Sequence, residues 1–422
     1  MEMVEMAAKL LFGSDPIDIR EGINFDRMRK ERAEKAKEAL RKAGIPAILV
    51  SGMSNIRYLA SFFSSEFQPF LSYVLFFAED DPIVFAHAGS FHQMSDQAPW
   101  IKHWRVGRSW IQGIGGDGAS QDEAKRFAQD VYKELKGHGL TKEKLGIVGF
   151  DFLAREALKK EGVTVVEGGT VLLEASKTKT QDEINCLKLA ASFGTTGWQR
   201  ALEVLKPGTT TDQVMGEVLA SISKAGATHS RGFLLSGPMS FPRNVSYPTR
   251  RIEYGDLVYM PLCGTSYMGY TACMYRQFIV GRKPTDTEKG WFNEMKDRLD
   301  AAIELTKPGA STADIAKAFP PASRWGYQDE SEVLTIEMGH GIGLVGLQDP
   351  CFVHYNIPAI NRQWSLDHPQ MIEEGMVIAY ESLEGERRVG GVRMENIVVV
   401  TKDGAEIIDH FPRDRILVAG EI

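Results

Sequence analysis

The chain has 422 residues, of which 43% are hydrophobic and 25% charged, with a formal net charge of −7. This is ordinary for a soluble globular protein of one to three domains. The sequence contains no basic run of the kind that binds nucleic acid. The acidic start, Met-Glu-Met-Val-Glu-Met, with only a short apolar stretch, predicts neither a signal peptide nor a membrane span. Cys186, Cys263, Cys273 and Cys351 show no CxxC spacing and imply no disulfide framework, so a reducing cytoplasm is the expected location.

In chain order, residues 26–43 are dense in Arg, Lys, Glu and Ala, with Met28, Ala33, Ala36, Leu40 and Ala43 near helical spacing. Gly44 and Ile45-Pro46 stop that helix. Ala47–Val50, Tyr73–Phe77, Ile83–Ala86 and Ile147–Phe150 read as short buried strands, which predicts an α/β layer. Thr180-Gln-Asp-Glu183 is a capping box that opens a helix carrying Ile184, Leu187 and Ala191 on one face. The domain boundary is placed just before it, giving domains 1–175 and 176–422.

The second half repeats itself. Lys206-Pro-Gly-Thr-Thr-Thr-Asp-Gln-Val214 resembles Lys307-Pro-Gly-Ala-Ser-Thr-Ala-Asp-Ile315, and each follows an apolar helix and precedes another helical pattern. Each is followed by a strand that starts at a Gly turn, Gly255–Met260 and Gly375–Tyr380. A duplicated α+β unit is expected, with a shared cleft as the natural ligand site. His340, within Gly339-His-Gly-Ile-Gly343, and Glu381 and Glu395, each in a strand-like run, offer an imidazole and two carboxylates, which suit a divalent transition metal.

These residues resemble the "pita-bread" superfamily of methionine aminopeptidase, prolidase, aminopeptidase P and creatinase. The likeness spans nearly the whole chain: Ser54-Asn-Ile-Arg-Tyr-Leu59, the capped helix at 180, both KPG turns, Gly255-Asp256, Gly269-Tyr-Thr-Ala272, Arg276, Gly339–Gly343, Glu374-Gly-Met-Val377 and Glu395. It implies an α/β N-terminal domain and a pita-bread C-terminal domain with pseudo-twofold duplication. It also implies five metal ligands in the peptidases: Asp, Asp, His, Glu and Glu. Here the two Asp positions hold Leu262 and Cys273, and the other three map onto His340, Glu381 and Glu395. Two further peptidase histidines map onto Asn244 and Leu347.

The resemblance therefore implies one divalent ion (Mn, Zn, Fe or Co) on Cys273, His340, Glu381 and Glu395, with Leu262 removing a second. Glu381 or Glu395 is expected to accept a proton from an activated water. Loss of the two histidines argues against ordinary Xaa-Pro peptides. It points instead to C–N cleavage in a small anionic, aromatic amine, 5-nitroanthranilate being the sharpest candidate. The alternatives are a metal-free creatinase-like amidinohydrolase and an Xaa-Pro dipeptidase-like peptidase, with a non-enzymatic binding module and a lyase further behind. Arg231, Arg243, Asn244 and Arg276 are the candidates for holding the substrate, and Phe233, Phe241 and Tyr247 for stacking on a ring. A homo-oligomer is expected from the resemblance.

Overall fold

The computed structural model describes residues 22–62, 72–110, 113–242, 249–333, 338–348 and 354–420. Its contacts divide the chain into two units: Phe25–Ser176, and Lys177 onward together with residues 22–24. Among the described residues no helix is long and apolar enough to cross a membrane.

The first unit opens with α1 (Phe25–Ala43), which buries Met28, Arg32, Ala36 and Leu40 at four-residue intervals. It continues with β1 (Ala47–Ser51), α2 (Met53–Ala60), β2 (Tyr73–Phe77), β3 (Ile83–Ala86), α3 (Phe91–Gln97) and β4 (His103–Val106). Then follow α4 (Asp117–Gly137), β5 (Lys144–Val148), α5 (Phe152–Lys160), β6 (Thr164–Glu167) and α6 (Gly169–Ser176). The strands form one mixed sheet in the order β4-β3-β2-β1-β5-β6. Its central strands β1, β2 and β3 are buried throughout, which is why they read as continuous apolar runs. The strand expected at 147–150 begins earlier and ends at Val148. Asp151 is the N-cap of α5, accepting from the Ala154 amide at 2.9 Å, so the chain must leave the sheet before it.

The second unit contains α7 (Gln181–Val204), α8 (Thr211–Ala225), β7 (Leu235–Ser236), β8 (Leu257–Pro261), the hairpin β9 (Thr265–Tyr267) and β10 (Tyr270–Ala272), and β11 (Tyr275–Val280). After these come α9 (Asp286–Leu305), α10 (Thr312–Ala316), β12 (Gly339–Gln348), β13 (His354–Ile360), α11 (Arg362–Asp367), β14 (Val377–Glu386), β15 (Gly390–Val400), β16 (Ala405–Ile407) and β17 (Leu417–Ala419). A nine-stranded sheet runs β13-β12-β14-β15-β11-β8-β7, with β16 on β15 and β17 on β11.

The internal echo is a repeat of hydrogen bonds as well as of letters. Thr180 and Thr285 both close capping boxes, on α7 and α9. In the first half the Gly208 amide donates to the Ile252 carbonyl and the Thr211 amide to that of Arg250; in the second, Gly309 donates to Ile372 and Thr312 to Gln370. The Gly255 amide bonds the Val280 carbonyl as the Gly375 amide bonds that of Val400. Two copies of one unit therefore build the sheet.

Helix α9 covers one face of it. Phe292, Met295, Leu299 and Ala302 pack on Ile378, Tyr380, Val392, Met394 and Val398. Side chains alternate along a strand, so Glu381, Arg393 and Glu395 project from the opposite face. Near α7, Arg276 from β11 stacks over the Trp198 ring at 4.8 Å. It donates to the carbonyls of Tyr275 and Glu395 at 2.9 Å each and to the Asp409 carboxylate at 2.7 Å. Arg276 and Asp409 are both out of contact with water. Breaking such a pair strands a buried charge. Asp409→Ala should cost about 3–5 kcal/mol, read from the urea midpoint of the full chain. Lys317→Ala, which breaks an exposed pair with Asp314, should leave that midpoint unchanged.

Candidate metal centre

The antiparallel ladder of β8 and β11 continues past their ends. The Leu262 amide donates to the Met274 carbonyl at 3.0 Å and the Gly264 amide to the Ala272 carbonyl at 3.3 Å. Cys263 and Cys273 thus form the pair between two hydrogen-bonded rungs, where side chains come closest. Their sulfurs lie 2.7 Å apart. Gly264 (φ +149°) lets the segment pass Arg231: a Cβ there would sit 2.8 Å from the Arg231 Cβ.

Tyr275 pairs with Glu395, and Glu395 pairs in turn with Glu381 across β14 and β15. This register brings the Glu395 carboxylate to the thiols, with Oε2 3.6 Å from Cys263 Sγ. The donor atoms of Cys263, Cys273 and Glu395 all lie within 4.8 Å of one another, and all three residues are buried. His340 enters from β12, which pairs with β14. Its Nε2 is 3.4 Å from Glu395 Oε1 and its Nδ1 is 3.2 Å from the Gly341 carbonyl. With Nδ1–H given to that carbonyl, Nε2 and Oε1 meet as two acceptors, which only a proton or a cation between them reconciles.

Burial dominates the electrostatics. It pushes the Cys263 thiol up to about 11, and it holds the Cys273 thiol well above its usual value, with Cys263 adding to the effect. Burial likewise raises the Glu395 carboxyl; His340 opposes the rise and the Glu381 charge reinforces it. Glu395 Oε1 is buried with no hydrogen-bond partner among the described residues. A buried carboxylate beside two thiols and an imidazole is a donor set that fits a divalent metal ion.

Glu381 is differently placed. Arg393, two residues before Glu395 and on the same face of β15, donates to Glu381 Oε2 from both Nε and Nη2, the Nε bond measuring 3.1 Å. The guanidinium lies 4.9 Å from the Tyr275 ring and 5.8 Å from that of Tyr259. Burial works against its charge, yet Glu381 and the two tyrosines more than offset this and hold its pKa well above the ordinary value.

Of the four ligands expected from sequence, the fold gathers Cys273, His340 and Glu395, while Glu381 is taken by Arg393. Leu262 does not line the centre. It is fully buried and turned toward α7 and Gly232. The neighbouring Cys263 takes the place at the donors, a role the sequence reading did not assign. Arg276 is corrected from a substrate residue to a buried structural one, since all its described partners are protein carbonyls, Asp409 and Trp198. Arg231 is exposed. Phe233 packs edge-on against Tyr259, and Phe241 packs on the buried pair Ala322 and Leu383. Asn244, Arg243 and Tyr247 lie outside the described residues, as does the side chain of Leu347. One signal could have found a missed group: strand alternation puts Arg393 beside Glu395.

A sheet built from two copies of one unit thus carries carboxylates, an imidazole and thiols, all buried, on the face opposite α9. The profile of metallopeptidase family M24 matches residues 185–402, and the chain belongs to that family. It is similar to the Xaa-Pro dipeptidase of Pyrococcus furiosus, 27% identical over 297 residues, 69% of this chain and 79% of that one. It is also similar to the creatinase of a Bacillus species, 23% identical over 400 residues, 90% of each. Among solved structures, an Xaa-Pro dipeptidase from Bacillus anthracis shares the fold with a TM-score of 0.72 at 23% identity, covering 92% of this chain and 99% of that chain.

The Arg393–Glu381 pair makes a distinct prediction. Arg393→Met or Glu381→Leu alone should cost about 3–5 kcal/mol, because each leaves one buried charge without its partner. The double variant should recover most of that loss. A thermodynamic cycle by urea unfolding checks this, and additive losses would mean the pair is not coupled.

Proposed function

We propose that this chain is a metal-dependent hydrolase that cleaves a C–N bond in a small substrate, with the amide of a dipeptide as the foremost candidate. The observation that carries the reading is the buried cluster of Cys263, Cys273 and Glu395 on an M24 sheet, with His340 Nε2 3.4 Å from Glu395. The dipeptidase and creatinase relatives support the bond class. They favour the amide over the aromatic amine, for which no described residue speaks.

Cys273, His340 and Glu395 would hold one divalent ion, and such an ion supplies an activated water near neutral pH. The chain's own part follows from the geometry. Glu381 stands directly across from Glu395, and Arg393 fixes its carboxylate in one orientation. Glu381 is therefore the group to accept a proton from the attacking water and return it to the leaving nitrogen. Burial of the centre removes competing water and strengthens each polar contact.

Treatment with EDTA should abolish hydrolysis of an Xaa-Pro dipeptide, and about one equivalent of Zn²⁺ should restore it. A chelated protein that cleaves at the original rate would sink the reading. Glu381→Gln should lower kcat by about 10²–10⁴-fold while the metal content holds. A parallel screen sets dipeptides against creatine and 5-nitroanthranilate. Ammonia release from the last at a higher rate than dipeptide cleavage would return the function to an aromatic aminohydrolase.

A further inference from the structure

We propose that Cys263 is a metal donor, so that the centre is a two-thiolate site for a thiophilic divalent ion, zinc above all, in which Cys263 takes the place that Glu381 would otherwise fill. The inference rests on the reading of this centre as a metal site and specifies its chemistry. Three observations carry it. Cys263 and Cys273 face each other across the strand pair, and their sulfurs lie with a Glu395 carboxylate oxygen within 4.8 Å of one another. The Cys263 sulfur is itself 3.6 Å from Glu395 Oε2. Glu395 Oε1, wholly buried, makes no hydrogen bond of ordinary geometry among the described residues and has His340 Nε2 3.4 Å away.

The competing donor is removed by charge. Glu381 already has a cation in the Arg393 guanidinium, held by two hydrogen bonds to one oxygen. Glu381 is also not among the described donors whose ligand atoms cluster, which are Cys263, Cys273 and Glu395. Cys263 has no cation as a described partner: its contacts are Cys273, Glu395 and the Tyr275 hydroxyl. Leu262 points away toward α7 and leaves the place beside Glu395 to Cys263. Two thiolates with an imidazole and a carboxylate match the soft and borderline preferences of zinc and not those of Mn²⁺ or Mg²⁺.

X-ray absorption at the zinc edge, on the full chain loaded with one equivalent of Zn²⁺ under reductant, counts the sulfurs without any variant. Two sulfurs at about 2.3 Å are expected. One sulfur, or none, overturns the proposal. Cys263→Ser, checked for its fold by circular dichroism, should lose one sulfur and weaken zinc binding by more than about 100-fold, beyond the roughly 10–100-fold loss that follows from removing a mere supporting partner. Unchanged affinity in that variant also overturns it. Glu381→Gln should keep both sulfurs, and loss of zinc there would restore Glu381 as the ligand. The outcomes separate the two readings. Zinc bound through nitrogen and oxygen alone, with amide cleavage intact, rejects the thiolate pair and leaves the hydrolase. Zinc bound through two sulfurs, with no cleavage of any C–N substrate, does the reverse.

Discussion

A guanidinium shut away from water must be met by an anion where it lies, and Arg393 is 2% exposed. That constraint organises the centre. Glu381 supplies the anion, and Tyr259 and Tyr275 enclose the cation with their ring faces. Two carboxylates placed directly opposite on neighbouring strands would repel. Charging one with an arginine and leaving the other to the thiols and the imidazole resolves the repulsion. The two acidic residues therefore acquire different roles, although each is buried at the end of an apolar run.

The sheet makes this arrangement possible by dividing its faces. Helix α9 covers the side that carries Ile378, Tyr380, Met394 and Val398, and Arg276 from β11 meets Trp198 of α7. The remaining side is free to carry polar groups, held in place by ladders on both flanks of β15. Arg276 also ties the Glu395 carbonyl to the Asp409 carboxylate, so the strand that bears Glu395 is fixed from behind. Because each half of the unit repeats the same turn and strand bonds, the donors come from both copies: the cysteines from the first, His340 and the acidic residues from the second.

An aliphatic side chain gains by burial, and Leu262 finds it against α7 and Gly232. Turning that residue one way turns the next residue the other way, which delivers Cys263 to the donors. Burial raises both thiols, and a bound ion would draw them into the thiolate form.

Much of this was legible in the sequence. The strands at 47, 73 and 83 showed as short apolar runs, the helix starts at 180 as a capping box, and the duplication as paired KPG turns. These signals are local: hydrophobic period, cap chemistry and turn residues act within a few positions, so the letters alone fix them. His340, Cys273 and Glu395 were also marked by their surroundings in the chain. The partners were not. Which carboxylate Arg393 would neutralise, whether Leu262 or Cys263 would face the donors, and whether Arg276 would meet substrate or Asp409 all depend on strand register and on which face the helices cover. Pairings between residues far apart in the chain are set by the packing of the whole sheet, and there the tertiary structure decided what the sequence had left open.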